Sequence, residues 1–198
     1  MLDGVLNIYK EKGYTSHDVV AKMRGILRQK KIGHTGTLDP DAEGVLPVCL
    51  GNATKLCGLL TEKEKTYRAV LLLGQTTDTQ DTSGRVLTEA PVTATGEQVR
   101  EAIMSVLGDY DQVPPMYSAL KVNGKKLYEL AREGKEVERQ ARRVRILDME
   151  IHEIRLPEVT FTVTCSSGTY IRTLCQDIGE KLGCGGCMKS LLRTKVDR

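Results

Sequence analysis

The fourteen residues from Gly33 to Leu46 (Gly33-His34-Thr35-Gly36-Thr37-Leu38-Asp39-Pro40-Asp41-Ala42-Glu43-Gly44-Val45-Leu46) hold three glycines, two threonines, one of the chain's three histidines and an Asp-Pro step. Proline pushes the residue before it into an extended conformation, so the step sets the Asp39 side chain at a rigid corner. A carboxylate fixed in this way can serve as nucleophile or base; it can equally cap its own turn. Two further side chains could work with it. Tyr67 begins an alternating apolar run, where a phenol is either aimed into a cleft or packed in the core. Arg172 falls on the first turn of an expected helix, where the dipole offers a cation nothing, so it asks for an anionic partner, and Asp39 is the candidate. A third reading pairs Asp39 with Glu43 as glycosidase carboxylates, but a chain without tryptophan lacks the usual sugar-stacking surface.

The stretch Gly33-His34-Thr35-Gly36-Thr37-Leu38-Asp39-Pro40, followed by Gly44-Val45-Leu46-Pro47, resembles the catalytic loop of the TruB family of pseudouridine synthases. Further blocks resemble the family's in the family's order: Lys65-Thr66-Tyr67-Arg68-Ala69, Leu73-Gly74-Gln75-Thr76-Thr77-Asp78-Thr79, Pro115-Met116-Tyr117-Ser118-Ala119-Leu120-Lys121 and Gly168-Thr169-Tyr170-Ile171-Arg172-Thr173. The resemblance runs from about residue 4 to residue 196. It implies an α+β pseudouridine synthase fold, with a mixed, mainly antiparallel sheet flanked by helices, forming one catalytic domain over residues 1–198. It also implies a thumb-like, RNA-contacting excursion over about 115–145, and the C-terminal domain of the PUA type usual in the family is expected to be absent.

The implied activity is isomerisation of a tRNA uridine, at position 55 of the T-loop, by flipping the base and exchanging its N1–C1′ bond for a C5–C1′ bond. No cofactor or metal is required. By the same resemblance Asp39 is the essential carboxylate, attacking C1′ or removing the C2′ proton to give a glycal. Tyr67 stacks on the uracil and accepts the C5 proton, and Arg172 orients Asp39. Leu191 forms an apolar wall under the base, and His34 helps fill the space the flipped nucleotide leaves. Tyr170, Lys121, Lys125, Lys126 and Arg142 are expected on the RNA-binding surface. Related alternatives are an RNA-guided synthase of the dyskerin branch and a non-catalytic tRNA-folding module. The chain departs from the family pattern at Lys10-Glu11, where Lys-Pro is usual, at Leu192, where arginine is usual, and in the charges of Asp41 and Glu43.

The formal net charge of the 198 residues is +3, and it is unevenly spread. Between Lys121 and Arg145 nine basic residues (121, 125, 126, 132, 135, 139, 142, 143, 145) face four glutamates (129, 133, 136, 138), so this segment carries +5 and the remainder −2. Such a segment is an RNA-binding surface or a solvated helix face. Neither a signal-type N-terminus nor a run of about eighteen apolar residues is present, which points to the cytoplasm and away from membranes. The six cysteines are then expected to be free thiols. Cys184-Gly185-Gly186-Cys187 lacks the second ligand pair that a structural zinc needs. A monomer with no obligate protein partner is expected.

The elements that must position these side chains read as follows. Val5 to Tyr9 is an expected strand, and Thr15 or Ser16 caps a helix facing inward through Val19, Val20, Met23 and Leu27. A buried strand or short helix is expected over 45–50, a helix over 53–60, and a strand over 65–73 with Tyr67, Ala69, Leu71 and Leu73 on one face. Gly74 to Gly84 reads as a polar loop. Thr95 to Gln98 has capping-box spacing and opens a helix closed by Gly108. A short helix near 125–133, strands over 144–155 and 158–165 and a helix from about Thr169 to Lys181 complete the expectation.

Overall fold

The computed structural model describes residues 1–122 and 124–197; Asn123, inside the expected excursion, and Arg198 lie outside them. Twelve strands and five helices are described: β1 (Gly4–Lys10), α1 (Ser16–Leu27), β2 (Ile32–His34), β3 (Glu43–Leu50), α2 (Cys57–Thr61), β4 (Lys65–Leu73), β5 (Gln75–Thr77), β6 (Val86–Glu89), α3 (Gly96–Met104), β7 (Gly108–Gln112), β8 (Lys121–Val122), β9 (Lys125–Lys126), α4 (Leu127–Arg132), β10 (Arg142–Arg155), β11 (Glu158–Cys165), α5 (Ile171–Lys181) and β12 (Gly186–Val196). A 3₁₀ turn, Gly51–Leu56, leads into α2. The main sheet runs β1-β3-β12-β4-β11-β10-β7, with β2 also paired to β3. All its pairings are antiparallel except β12 with β3. The α+β class and the mainly antiparallel sheet are therefore as expected.

Alternation explains the centre of the sheet. In β4 every odd-numbered residue from Lys65 to Leu73 is buried, and β11 buries Val159, Phe161, Val163 and Cys165 in the same rhythm. These side chains meet Ile171, Leu174 and Ile178 of α5 and Val99 and Ile103 of α3 in one cluster. Burying one such side chain is worth about 1.5–3 kcal/mol. A second, smaller cluster joins Val19 and Val20 of α1 to Ile32 and to Leu46, Val48 and Leu50 of β3. Thr15 and Thr95 both cap their helices through reciprocal boxes, with Asp18 and Gln98 respectively.

Several expectations are corrected. The stretch 74–84 is not all loop, since β5 pairs with β6 in a small hairpin. Helix α3 stops at Met104, and Gly108, at φ +93°, opens β7 instead of closing the helix. The basic stretch is split: Arg142, Arg143 and Arg145 belong to β10 in the main sheet, and only 113–141 leaves it, carrying the β8-β9 ribbon and α4. The charge of that stretch is also partly answered locally. Arg143 Nη1 lies 3.1 Å from Asp111 Oδ2 and Arg145 Nε 2.5 Å from Asp109 Oδ1, both on β7. Lys125 and Lys135 share Glu133. Among the described residues, Lys121 and Arg142 carry no such ion pair.

Candidate active site

Asp39 sits at the corner its sequence suggests, and three separate elements hold that corner. The Ser16 hydroxyl at the start of α1 accepts from the Leu38 N–H at 2.9 Å. The Pro40 carbonyl accepts from the Gly13 N–H at 2.8 Å and from Lys10 Nζ at 3.2 Å. Lys10, wholly buried, spends its other two donors on the carbonyls of Glu11 (3.1 Å) and Tyr14 (2.6 Å). The backbone N–H of Ala42 returns to the Asp39 carbonyl at 3.0 Å. The carboxylate itself makes no turn cap. Its side chain is 41% exposed on one side and pinned on the other.

The pin is Arg172, the second residue of α5, whose side chain is only 7% exposed. Its Nε lies 3.0 Å from Asp39 Oδ2 and its Nη2 3.5 Å from Oδ1, a side-on fork. The remaining donors are held as well: Nη1 donates to the Thr79 carbonyl at 3.0 Å and Nη2 to the Tyr117 carbonyl at 2.9 Å. Asp81 Oδ2 stands 3.8 Å from Nη1, its own carboxylate fixed by Thr79 and Ser83. Even so, burial raises the Asp39 carboxyl pKa, with Arg172 pulling it down and Asp81 adding to the rise.

Tyr67 packs in the main cluster with Leu38, Ala42 and Leu191. Burial pushes its phenol up to about 12, and the charge of Arg193 opposes that rise. The pairing register sets Arg193 of β12 directly opposite Tyr67 of β4. Arg193 is 1% exposed, with Nε donating to the Val45 carbonyl at 2.8 Å and Nη2 to the Gly36 carbonyl at 3.5 Å. Its backbone also crosses β3 so closely that a Cβ on Gly44 (φ +111°) would lie 2.2 Å from the Arg193 carbonyl oxygen, which is why only glycine fits there.

Asp39, Arg172, Tyr67 and Leu191 are thus brought together, and Tyr170 precedes Arg172 as the residue from which α5 starts. His34 stands at the other end of the loop on β2, its imidazole pKa lowered by burial, which the Gly36 backbone opposes. Arg142 opens β10 and acts on the Tyr170 phenol, while Lys121, Lys125 and Lys126 form the separate β8-β9 ribbon. Sequence reasoning missed Lys10, Arg193, Asp81 and the Thr79 and Tyr117 carbonyls. For Lys10 and Arg193 the available signal was a charged residue inside an apolar strand. The carbonyl acceptors leave no trace in side-chain chemistry.

Residues 24–171 match the model of the TruB family pseudouridylate synthase N-terminal domain, and residues 172–198 that of the tRNA pseudouridylate synthase B C-terminal domain. A tRNA pseudouridine synthase B of Alkaliphilus oremlandii is 57% identical over 98% of this chain and 64% of its own length. One from Lachnoclostridium phytofermentans is 62% identical over 98% of this chain and 66% of its own. The chain therefore spans about two thirds of the length of these curated relatives. Among solved structures, a chain of a Cbf5-Nop10-Gar1 complex superposes with a TM-score of 0.76 at 34% identity, covering 97% of this chain and 48% of the other. With one family model spanning 148 of its residues and such relatives along nearly all of its length, the chain belongs to the TruB family of pseudouridylate synthases.

Proposed function

We propose that this chain isomerises uridine to pseudouridine in tRNA, at position 55 of the T-loop, as a single catalytic unit over residues 1–198 that works as a monomer in the cytoplasm without a cofactor. The observation that carries the reading is the Asp39 carboxylate, clamped side-on by Arg172 and 41% exposed, with the adjoining Leu38 in the same cluster as Tyr67 and Leu191. In the reaction the N1–C1′ bond breaks, the uracil turns, and a C5–C1′ bond forms; C5 loses a proton and N1 gains one. Asp39 attacks C1′ or takes the C2′ proton, and either role needs it ionised and aligned with the ribose. Arg172 supports both needs.

Leu191 and the Tyr67 ring form the floor on which the detached base is held, and an aromatic stack of that kind is worth about 1–3 kcal/mol. Burial keeps the Tyr67 phenol protonated at neutral pH, so it can take the C5 proton only after giving its own proton to N1 of the detached uracil, and Arg193 would hold the negative charge of the phenolate in between. His34 helps fill the space that the flipped nucleotide leaves. The ribbon lysines 121, 125 and 126 contact the T-arm backbone from the excursion, in the sense of a thumb, and Arg142 and Tyr170 contact it from β10 and the start of α5.

Incubation with an unmodified T-arm hairpin, followed by pseudouridine mapping, tests the proposal. Wild type should convert one uridine, and Asp39→Asn should bind the hairpin and convert none. Binding without conversion by wild type would instead favour the tRNA-folding module. Conversion only with a guide RNA would favour the guided branch, whose support here is the 34% identical Cbf5 complex against relatives of 57% and 62% named for tRNA.

A further inference from the structure

Gln112, the last residue of β7, is 1% exposed, yet it touches none of the reacting groups. Its carboxamide is fully engaged. Oε1 accepts from the Tyr170 backbone N–H at 2.8 Å, and Nε2 donates to the Tyr170 carbonyl at 3.0 Å and to the Tyr110 hydroxyl at 2.9 Å. The side chain thereby treats Tyr170 as a neighbouring strand would, satisfying both backbone groups of a single residue. Tyr170 is the residue from which α5 starts, and no side chain of its own caps that helix. Two residues later comes Arg172.

We infer that Gln112 is a positioning residue for the Arg172–Asp39 pair, its carboxamide fixing where α5 begins and therefore where the guanidinium lies; this rests on the proposed roles of those two residues. Two routes lead from Gln112 to the guanidinium. Through its side chain it holds the helix start. Through the chain it begins the 113–141 segment, whose Tyr117 carbonyl accepts from Arg172 Nη2 at 2.9 Å. A guanidinium bonded at once to Asp39, Thr79 and Tyr117 cannot follow a shifted helix start without giving up some of those bonds. The Tyr110 hydroxyl, bonded also to Asp177 on α5, takes the second Nε2 hydrogen, while the two bonds to Tyr170 set which way the carboxamide faces.

The test uses the whole chain and the unmodified T-arm hairpin. Gln112→Met keeps the volume and removes all three hydrogen bonds. Its single-turnover rate should fall by about 10- to 100-fold, the cost expected of a misplacement near 1 Å, while hairpin affinity stays within about threefold. In an Arg172→Lys background the same change should cost almost nothing more, because the two act through one interaction. The Arg172 Nε–H signal should exchange with solvent at least about tenfold faster than in wild type. Tyr110→Phe is the comparison for plain destabilisation. It should lower the unfolding midpoint yet hold the rate within about threefold, since both bonds to Tyr170 remain.

If Gln112→Met does not fold, Gln112→Glu, which keeps an acceptor for the Tyr170 N–H and loses the donor, should show the same pattern with a smaller rate loss. A Gln112 variant that keeps its rate, loses no more than Tyr110→Phe, or loses the same factor beside Arg172→Lys overturns the inference. Should wild type form no pseudouridine at all, the proposed function fails. The Nε–H exchange then decides on its own, and unchanged exchange in the Gln112 variant refutes the positioning role.

Discussion

Lys10 Nζ meets the Pro40 carbonyl at 3.2 Å, tying the end of β1 to the corner that presents Asp39. All three ammonium donors end on backbone carbonyls, so the residue works as a buried bracket in place of a surface charge. Lys10→Met should destabilise the protein by about 2–4 kcal/mol, because methionine fills the space but removes the ammonium from three carbonyls, of which that of Pro40 keeps the Gly13 N–H. Denaturant unfolding at neutral pH measures this. A loss below about 0.5 kcal/mol would place the bracket elsewhere.

Arg172→Lys distinguishes geometry from charge. Lysine keeps the positive charge but cannot make the side-on fork to both Asp39 oxygens. The single-turnover rate should drop by about 100-fold or more with tRNA affinity changed by less than about fivefold. A rate reduced only in proportion to binding would make Arg172 a phosphate ligand.

Tyr67 gives a pH signature. With its phenol pushed up to about 12 from an ordinary 10.0, the folded state holds that proton more tightly than the unfolded chain. Its contribution to stability is therefore present in full below pH 10 and is lost as pH rises toward about 12. Ultraviolet titration of wild type minus Tyr67→Phe should show no phenolate until well above pH 10. Ionisation at or below pH 10 would mean that Arg193 outweighs burial.

Neutralising Lys125, Lys126 and Arg142 together should weaken RNA binding and flatten its salt dependence by about 0.7 for each phosphate that is no longer neutralised. The structure ranks the three. Arg142 has no described ion pair, whereas Lys125 is partnered by Glu133 at 3.6 Å and Lys126 by the Tyr128 hydroxyl at 3.2 Å. Arg142→Gln alone should account for the largest single share of the change, and an equal share from Lys125→Gln would contradict that ranking.

Most elements were legible because their signals are local. The Thr15 and Thr95 boxes, the alternation of 65–73 and the Asp-Pro corner each depend on a few adjacent residues. Strand β12 was not legible, and its bulges explain why: register shifts between Met188 and Ser190 and again between Arg193 and Lys195 break the alternation, so 186–196 buries residues in no period-two pattern. In the site, Asp39, Tyr67 and Arg172 could be named from motifs. Lys10, Arg193 and Gln112 could not, because each acts on backbone atoms, most of them distant in sequence, and nothing in the sequence marks which carbonyl a side chain will find.

Strand β12 also bears on how the molecule comes together. It lies between β3, near the start of the chain, and β4, the next strand of the main sheet, and touches β3 only around Glu43 and Gly44. As the chain is synthesised, the β1-β3 ribbon with α1 and the β4-β11-β10-β7 block can each pair early, but the strand that joins them emerges after both. Until then the Asp39 corner and the Tyr67 face belong to separate pieces. Residues 186–196 bring Leu191 into the cluster and set Arg193 opposite Tyr67, so a nascent chain that has yet to reach them holds the reacting carboxylate without either residue.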